Sequence, residues 1–190
     1  MTSETLDKRT ALLPRLLANR SRVWSVGVVL LGSWLLAASS WAEIPMVPVP
    51  MTLQTYALFV IAGLAGARLA FEITLVWLLQ AAIGLPVLAG GSGGLDALTG
   101  PTAGYLAGML LAAPMAGQMA QRDPRWAALA GVFLSGHVLV LFLGSAWLAT
   151  KIGLGAAFAA GSGPFLLGAV VKSLAAAATV WLVARRVKVI

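Results

Sequence analysis

The sequence predicts an all-α integral membrane protein with six transmembrane helices and a glycine-rich outward loop between the third and fourth helices. Three observations predict this fold class. Hydrophobic residues make up 60% of the 190 residues and charged residues only 10%, which is more apolar surface than a soluble domain of this size can bury. Apolar runs near the length of a membrane span, roughly 20 residues, recur along the chain. Basic residues concentrate in alternate connections, as the positive-inside rule requires.

The composition also excludes several classes of function. The chain has no cysteine and a single histidine, His137, so disulfides, thiol chemistry and a metal site of several histidines are excluded, and neither a metal nor a cofactor is expected. The net charge of +7 lies mostly in the tails and short connections, and it indicates membrane topology rather than nucleic-acid binding. The chain contains no Gly-x-x-x-x-Gly-Lys-Ser/Thr sequence, so we do not expect it to hydrolyse ATP.

The membrane domain is predicted to cover residues 23–184. Its first helix is predicted over residues 23–42. Three closely spaced prolines after this helix enforce an extended connection. The second helix starts near Thr52 and ends within residues 63–68, and the third covers about residues 69–84. Both are short for a full span, so we expect either a thinned bilayer or partial burial inside the protein.

The connection after the third helix is the most unusual segment of the chain. Four glycines lie within residues 90–94, and Pro86 and Pro101 bracket them. Such a composition is incompatible with a spanning helix. Irregular backbone at membrane depth is tolerated only where protein buries it or a cavity solvates it. The segment is therefore predicted to be a lid or a re-entrant binding loop.

The remaining helices are predicted over residues 102–118, 126–150 and 164–184. Residues 1–22 and 185–190 form basic tails. With six spans, all basic residues outside the predicted helices except Lys151 fall on one side, so both termini are predicted to face the cytoplasm across a bacterial inner membrane. The basic residues on this side are Lys8, Arg9, Arg15, Arg20, Arg22, Arg68, Arg122, Arg125, Arg185, Arg186 and Lys188.

Three polar residues in the predicted helices are candidates for a binding site. Lys172 lies about eight residues into the sixth helix, roughly 12 Å from its outer end. It either snorkels to an interface or has a functional role, since ionisable residues at such depth are functional by default. Gln54, in the polar first turn of the second helix, either contacts a ligand or lies at the interface beside a Thr52 cap. His137, near the middle of the fifth helix, either bonds between helices or lines a cavity.

Two further patterns have competing interpretations. Ala38 and Ala42 show the four-residue spacing of small residues that lets helices approach closely, and they either pack within the chain or form a docking surface for a partner membrane protein. Ser92 lies in the Gly-x-Ser-Gly pattern of intramembrane serine proteases, with His137 as the possible base. The proteases need that serine at the start of a helix, whereas here it lies in a loop, so this alternative is weak.

Three segments together resemble the BioY family, the biotin-specific components of energy-coupling-factor (ECF) transporters. The first is Pro-Val-Pro-Met-Thr-Leu-Gln-Thr at residues 48–55. The second combines Gly-Leu-Pro-Val-Leu-Ala-Gly-Gly-Ser-Gly-Gly at 84–94 with Gly-Pro-Thr-Ala-Gly-Tyr at 100–105, and the third is Pro-Phe-Leu-Leu-Gly-Ala-Val-Val-Lys at 164–172. The resemblance covers nearly all of residues 24–184.

The resemblance implies a six-helix protein, not an enzyme, that captures biotin from outside the cell. Uptake would be driven by a membrane coupling protein and two ATPases. Many relatives carry an aspartate three residues before the lysine, where this chain has Ala169, so Lys172 lacks that partner. A component for a different vitamin and the serine protease remain the alternatives. The residues predicted to bind the ligand are Gln54, Gly91, Ser92, Gly93, Tyr105, His137 and Lys172.

Overall fold

The computed structural model describes residues 12–17, 21–123 and 125–187, and this part of the chain is mostly helical. Four of the basic residues predicted to be cytoplasmic lie outside the described residues: Lys8, Arg9, Arg20 and Lys188. The described helices are α1 (Leu12–Leu17), α2 (Arg22–Trp41), α3 (Gln54–Ala82), α4 (Leu95–Thr99), α5 (Ala103–Arg122), α6 (Trp126–Ile152), α7 (Leu154–Gly161) and α8 (Phe165–Val187). Two short antiparallel strands, β1 (Glu43–Ile44) and β2 (Met51–Thr52), pair in the connection after α2.

Four of the described helices, α2, α3, α6 and α8, are long and apolar enough to cross a membrane. Their outer faces carry large exposed apolar side chains, among them Leu31 on α2, Phe142 on α6 and Leu167 on α8. Such exposure is unfavourable in water and natural where the solvent is lipid. The arrangement therefore agrees with the membrane class that the composition predicts.

Helix α3 contains a break at Gly66, whose backbone has φ 77° and ψ 178°. A straight helix of this length would extend about 43 Å at 1.5 Å per residue. Yet Leu53, just before α3, donates its N–H to the Ala42 carbonyl at 3.0 Å, and Pro86, just after α3, accepts from the Trp41 indole at 3.0 Å. Both ends of α3 thus lie beside the end of α2, so its two halves fold back on each other. Positive φ favours glycine at the break.

Helix α5 packs closely against α3 at its break and against α6, and small residues make this packing possible. A Cβ atom added to Gly117 would lie 2.7 Å from the carbonyl carbon of Gly66. A Cβ added to Gly108 would lie 2.9 Å from the Cα of Val140 on α6. Because backbone meets backbone at both points, only glycine fits there. The α5 face is therefore an internal packing surface.

The structure differs from the sequence prediction in its short elements. Helix α1 lies within the predicted tail and packs its Leu13 against the core. Helix α4 lies in the glycine-rich connection that was predicted to be irregular, and helix α7 lies in the connection between the fifth and sixth predicted helices. The two strands were predicted only as extended chain. Each of these helices has at most eight residues, and such helices form through tertiary packing rather than through their own propensity. Helix α8 also continues to Val187, beyond the predicted end of the membrane domain.

Candidate functional site

A pocket opens where the connections after α2 and α3 meet the first turn of α3, the first two turns of α5 and α8, and the middle of α6. Its wall is mostly apolar and also carries polar side chains, as in small-molecule sites generally. The apolar lining residues are Val49, Pro50, Leu88, Ala89, Leu106, Met109, Val140, Leu141, Phe165 and Ala169. The polar lining residues are Thr52, Gln54, Thr55, Ser92, Thr102, Tyr105, His137 and Lys172.

Lys172 lines this pocket two turns into α8 and is partly buried. Its Nζ donates a hydrogen bond to the backbone carbonyl of Thr52 at 3.0 Å. An ammonium group has three donors, and that carbonyl accepts one of them. No aspartate or glutamate is among the lining residues described. Lys172 therefore presents a cationic donor to whatever fills the pocket.

His137 lies on α6 and is 3% exposed. Its Nδ1 lies 3.1 Å from the carbonyl oxygen of Phe133 and 2.9 Å from the Oγ of Ser173 on α8. The ring of Phe59 packs against it at a centroid distance of 4.6 Å. The structure thus combines the two interpretations left open by the sequence, because the imidazole bonds between helices through one nitrogen and also lines the cavity.

Gln54 lines the pocket, but hydrogen bonds within the protein already hold its side-chain amide. The Nε2 donates to the Oγ of Ser40 at 2.5 Å, and the Oε1 accepts from the Oγ1 of Thr52 at 3.1 Å. These bonds join the first turn of α3 to α2 and to the neighbouring strand. Gln54 therefore positions one wall of the pocket, and only its remaining N–H and lone pair are left for a ligand.

The glycine-rich segment contributes Leu88, Ala89 and Ser92 to the pocket wall. Gly91 and Gly93, which the sequence placed at the site, are not lining residues. Gly91 belongs to a 3-10 turn over Ala89–Gly91 and has φ +69°. A Cβ on Gly93 would overlap the backbone carbonyl of Leu85. Both glycines therefore determine the conformation of the loop and do not line the pocket.

Two tryptophans donate hydrogen bonds to the backbone of the same loop. Trp77, fully buried in α3, donates its indole N–H to the carbonyl of Val87 at 2.9 Å. Trp41 at the end of α2 donates to the carbonyl of Pro86 at 3.0 Å. These bonds satisfy backbone carbonyls in a segment that lacks the repeating backbone hydrogen bonds of a long helix or a sheet. The loop is therefore anchored at its start, where it approaches the pocket.

Tyr105 also lines the pocket. Its hydroxyl donates a hydrogen bond to the carbonyl of Gly161 in α7 at 2.7 Å. A Cβ on Gly144 of α6 would overlap the Tyr105 ring, so the ring occupies space that a glycine leaves free. The ring of Phe165, a lining residue that the sequence did not single out, lies 6.5 Å away.

Sequence reasoning also missed Thr55, Thr102 and Met109 on the pocket wall. Thr55 directly follows Gln54 in the polar first turn of the second predicted helix, and this polarity was the signal that the sequence offered. Nothing in the sequence distinguishes Met109 from other apolar residues.

The predicted docking residues Ala38 and Ala42 lie outside the pocket, and both are exposed. Among the described residues, no group of three histidines, cysteines or carboxylates could hold a metal ion.

The sequence model of the BioY family matches residues 13–189 of this chain. The chain belongs to the BioY family. The resemblance inferred from the three motifs is thereby confirmed. Similar proteins include a probable biotin transporter BioY of Pyrococcus horikoshii, which is 33% identical over 164 residues that cover 86% of this chain and 95% of the relative. The biotin transporter BioY of Rhizobium etli is 38% identical over 141 residues, which cover 69% of this chain and 75% of the relative.

A solved structure with the same fold supports the membership. The crystal structure of an S-component for biotin from an ECF-type ABC transporter aligns with a TM-score of 0.78 and 25% sequence identity. The alignment covers 88% of this chain and 94% of that one. The family is one of membrane transporters rather than enzymes. Consistently, Ser92 donates its Oγ hydrogen bond to the carbonyl of Ala89 at 2.7 Å, and His137 directs its Nδ1 to Phe133 and Ser173.

Proposed function

We propose that this chain captures biotin and delivers it across the membrane as the substrate-binding component of an ECF-type transporter. The observation that carries the proposal is a mostly apolar pocket containing Lys172, in a chain of the BioY family. Biotin is a small apolar bicycle with a cyclic urea at one end and a carboxylate at the other. Such a ligand suits an apolar wall with a few convergent polar groups.

The polar groups of the pocket match the two ends of biotin. The free donors of Lys172 can serve an oxygen of the ligand, either the urea carbonyl or the carboxylate. The Ser92 loop lies at the same pocket and contains several glycines with positive φ, including Gly90 and Gly94. Glycine lets a loop approach a ligand closely and change conformation as a lid.

Direct titration tests the ligand. The purified protein in detergent should bind radiolabelled biotin saturably, and unlabelled biotin should displace the label. Riboflavin and thiamine, added in the same excess, should leave the label bound. Absence of biotin binding by folded protein, or tighter binding of another vitamin, would refute the proposal and favour a component for that vitamin.

The proposed topology has six crossings with both termini in the cytoplasm. It treats the two halves of α3 as separate spans, because both ends of α3 lie beside the end of α2. It also accounts for the basic residues Arg68 and Arg122, which fall on the same side as the tails. The pocket then faces outward, as capture from the medium requires.

Single cysteines test this orientation, since the chain has none of its own. Leu95→Cys and Leu154→Cys should react with a membrane-impermeant thiol reagent in intact cells. Arg122→Cys and Thr2→Cys should react only after the membrane is opened. The opposite pattern would place the pocket on the cytoplasmic side and contradict capture from outside.

The proposed energising partners are a membrane coupling protein and ATPase subunits, and Ala38 and Ala42 are the proposed docking surface. Both are exposed at the end of α2, so the alternative of internal packing loses support. Ala38→Trp should reduce energised biotin uptake severalfold and leave biotin binding unchanged, because a bulky side chain prevents close helix contact. Val138→Trp, at an exposed position on α6, serves as the control. Unchanged uptake in Ala38→Trp would exclude docking at this surface.

A further inference from the structure

The hydrogen bonds of His137 determine which of its ring nitrogens carries the proton. Nδ1 lies 3.1 Å from the Phe133 carbonyl oxygen, which can only accept. It also lies 2.9 Å from the Ser173 Oγ, and that hydroxyl gives its own proton to the Ala169 carbonyl at 2.7 Å. Both neighbours of Nδ1 therefore accept, so Nδ1 is the donor. The Phe59 ring, tilted by 51° against the imidazole, limits its rotation.

With the proton on Nδ1, the neutral imidazole has an acceptor at Nε2. The neutral form fits the surroundings, because the pocket lining described contains the cation of Lys172 and no carboxylate. Nε2 is buried and has no hydrogen-bond partner among the described residues. Nearly all buried polar atoms in native proteins have a partner, and one that lacks it calls for an explanation.

A second buried polar atom without a partner belongs to the same pocket. The Oγ1 of Thr55 is buried and unbonded, and Thr55, like His137, is a lining residue. Two other unpartnered buried atoms in the described chain belong to Glu43 and Gln80, which do not line the pocket. The unbonded atoms at the pocket wall indicate a site whose hydrogen bonding is completed by its ligand.

We propose that Nε2 of His137 accepts a hydrogen bond from an N–H group of the bound ligand, and that Ser173 and the Phe133 carbonyl are positioning groups that hold the required tautomer. The inference rests on the proposed function, in which the ligand is biotin. Only the cyclic urea of biotin carries N–H groups, since its carboxylate and carbonyl oxygens accept. The urea end of biotin therefore faces His137, and His137 is a residue that determines specificity for an N–H donor.

Biotin analogues test this without altering the protein. The two cyclic carbamates in which one urea N–H is replaced by oxygen keep the shape of biotin and remove one donor each. The wild-type protein should bind at least one of them about fivefold to 150-fold more weakly than biotin, because a site built around a donor rejects an analogue that lacks it. Equal binding of both carbamates and biotin would overturn the proposal.

Two substitutions give a matched pair. His137→Asn keeps a donor near Nδ1 and removes the acceptor, whereas His137→Gln places an amide oxygen near the position of Nε2. His137→Asn should lose the discrimination between biotin and the carbamate that the wild type binds more weakly. His137→Gln should retain part of this discrimination. A purely structural histidine would lower affinity for biotin and both carbamates by the same factor in each variant, and that result would overturn the proposal. Failure of the wild type to bind biotin at all would instead refute the proposed function.

Discussion

Gly117→Leu is expected to prevent the protein from folding into a stable bundle. A Cβ at this position would lie 2.7 Å from the carbonyl carbon of Gly66 and 2.8 Å from the amide nitrogen of Ala67. Both atoms belong to the backbone at the break in α3, so no rotamer change can make room. Inserting a bulky side chain into a packed core typically costs 1–3 kcal/mol, and we expect a loss of about 3 kcal/mol or more here.

Thermal unfolding in detergent, followed by loss of the monodisperse peak in size exclusion, measures this effect. Gly131→Leu is the matched control, because Gly131 is exposed on α6 and nothing lies within 4 Å of a Cβ there. The control should unfold at or above the wild-type temperature, since leucine is the better helix former. Equal stability of the two variants would show that α5 does not pack against the break in α3 as described.

Lys172→Ala is expected to weaken biotin binding by about 1.5–3 kcal/mol, roughly tenfold to 150-fold, the range for a hydrogen bond to a charged group. The ammonium already donates to the Thr52 carbonyl at 3.0 Å and has donors left for the ligand. It is the cation on a pocket wall whose described lining contains no carboxylate. Its removal therefore takes away both the donor and the positive charge.

Biotin titration of the purified variant measures the loss, with thermal unfolding as the check on folding. Lys151→Ala is the control, because Lys151 is exposed at the end of α6 and packs over the Trp147 ring away from the pocket lining. Its affinity for biotin should equal that of the wild type. Wild-type affinity in a folded Lys172→Ala protein would mean that the lysine serves only to bond the Thr52 carbonyl.

Several features of the site could be predicted from the sequence because they depend on composition or on a single residue. Lys172 was identifiable because a lysine within an apolar helix is exceptional wherever the helix lies. Ser92 and Tyr105 stood out because they belong to motifs of the family. By contrast, Met109 and Val140 are ordinary apolar residues within apolar helices, and only their place on the pocket wall distinguishes them.

The sequence by itself determined the membrane class, the order of the long helices and the family, because apolar length and local motifs are properties of contiguous residues. The tertiary structure alone decided that α3 folds back at Gly66, that the Gln54 amide is held by Ser40, and that His137 bonds to Ser173. The two hydrogen bonds join residues that are distant in the chain, and the break in α3 depends on the backbone conformation of a single residue. Hydropathy and spacing carry no information about which distant partner satisfies a polar group, and packing supplies it.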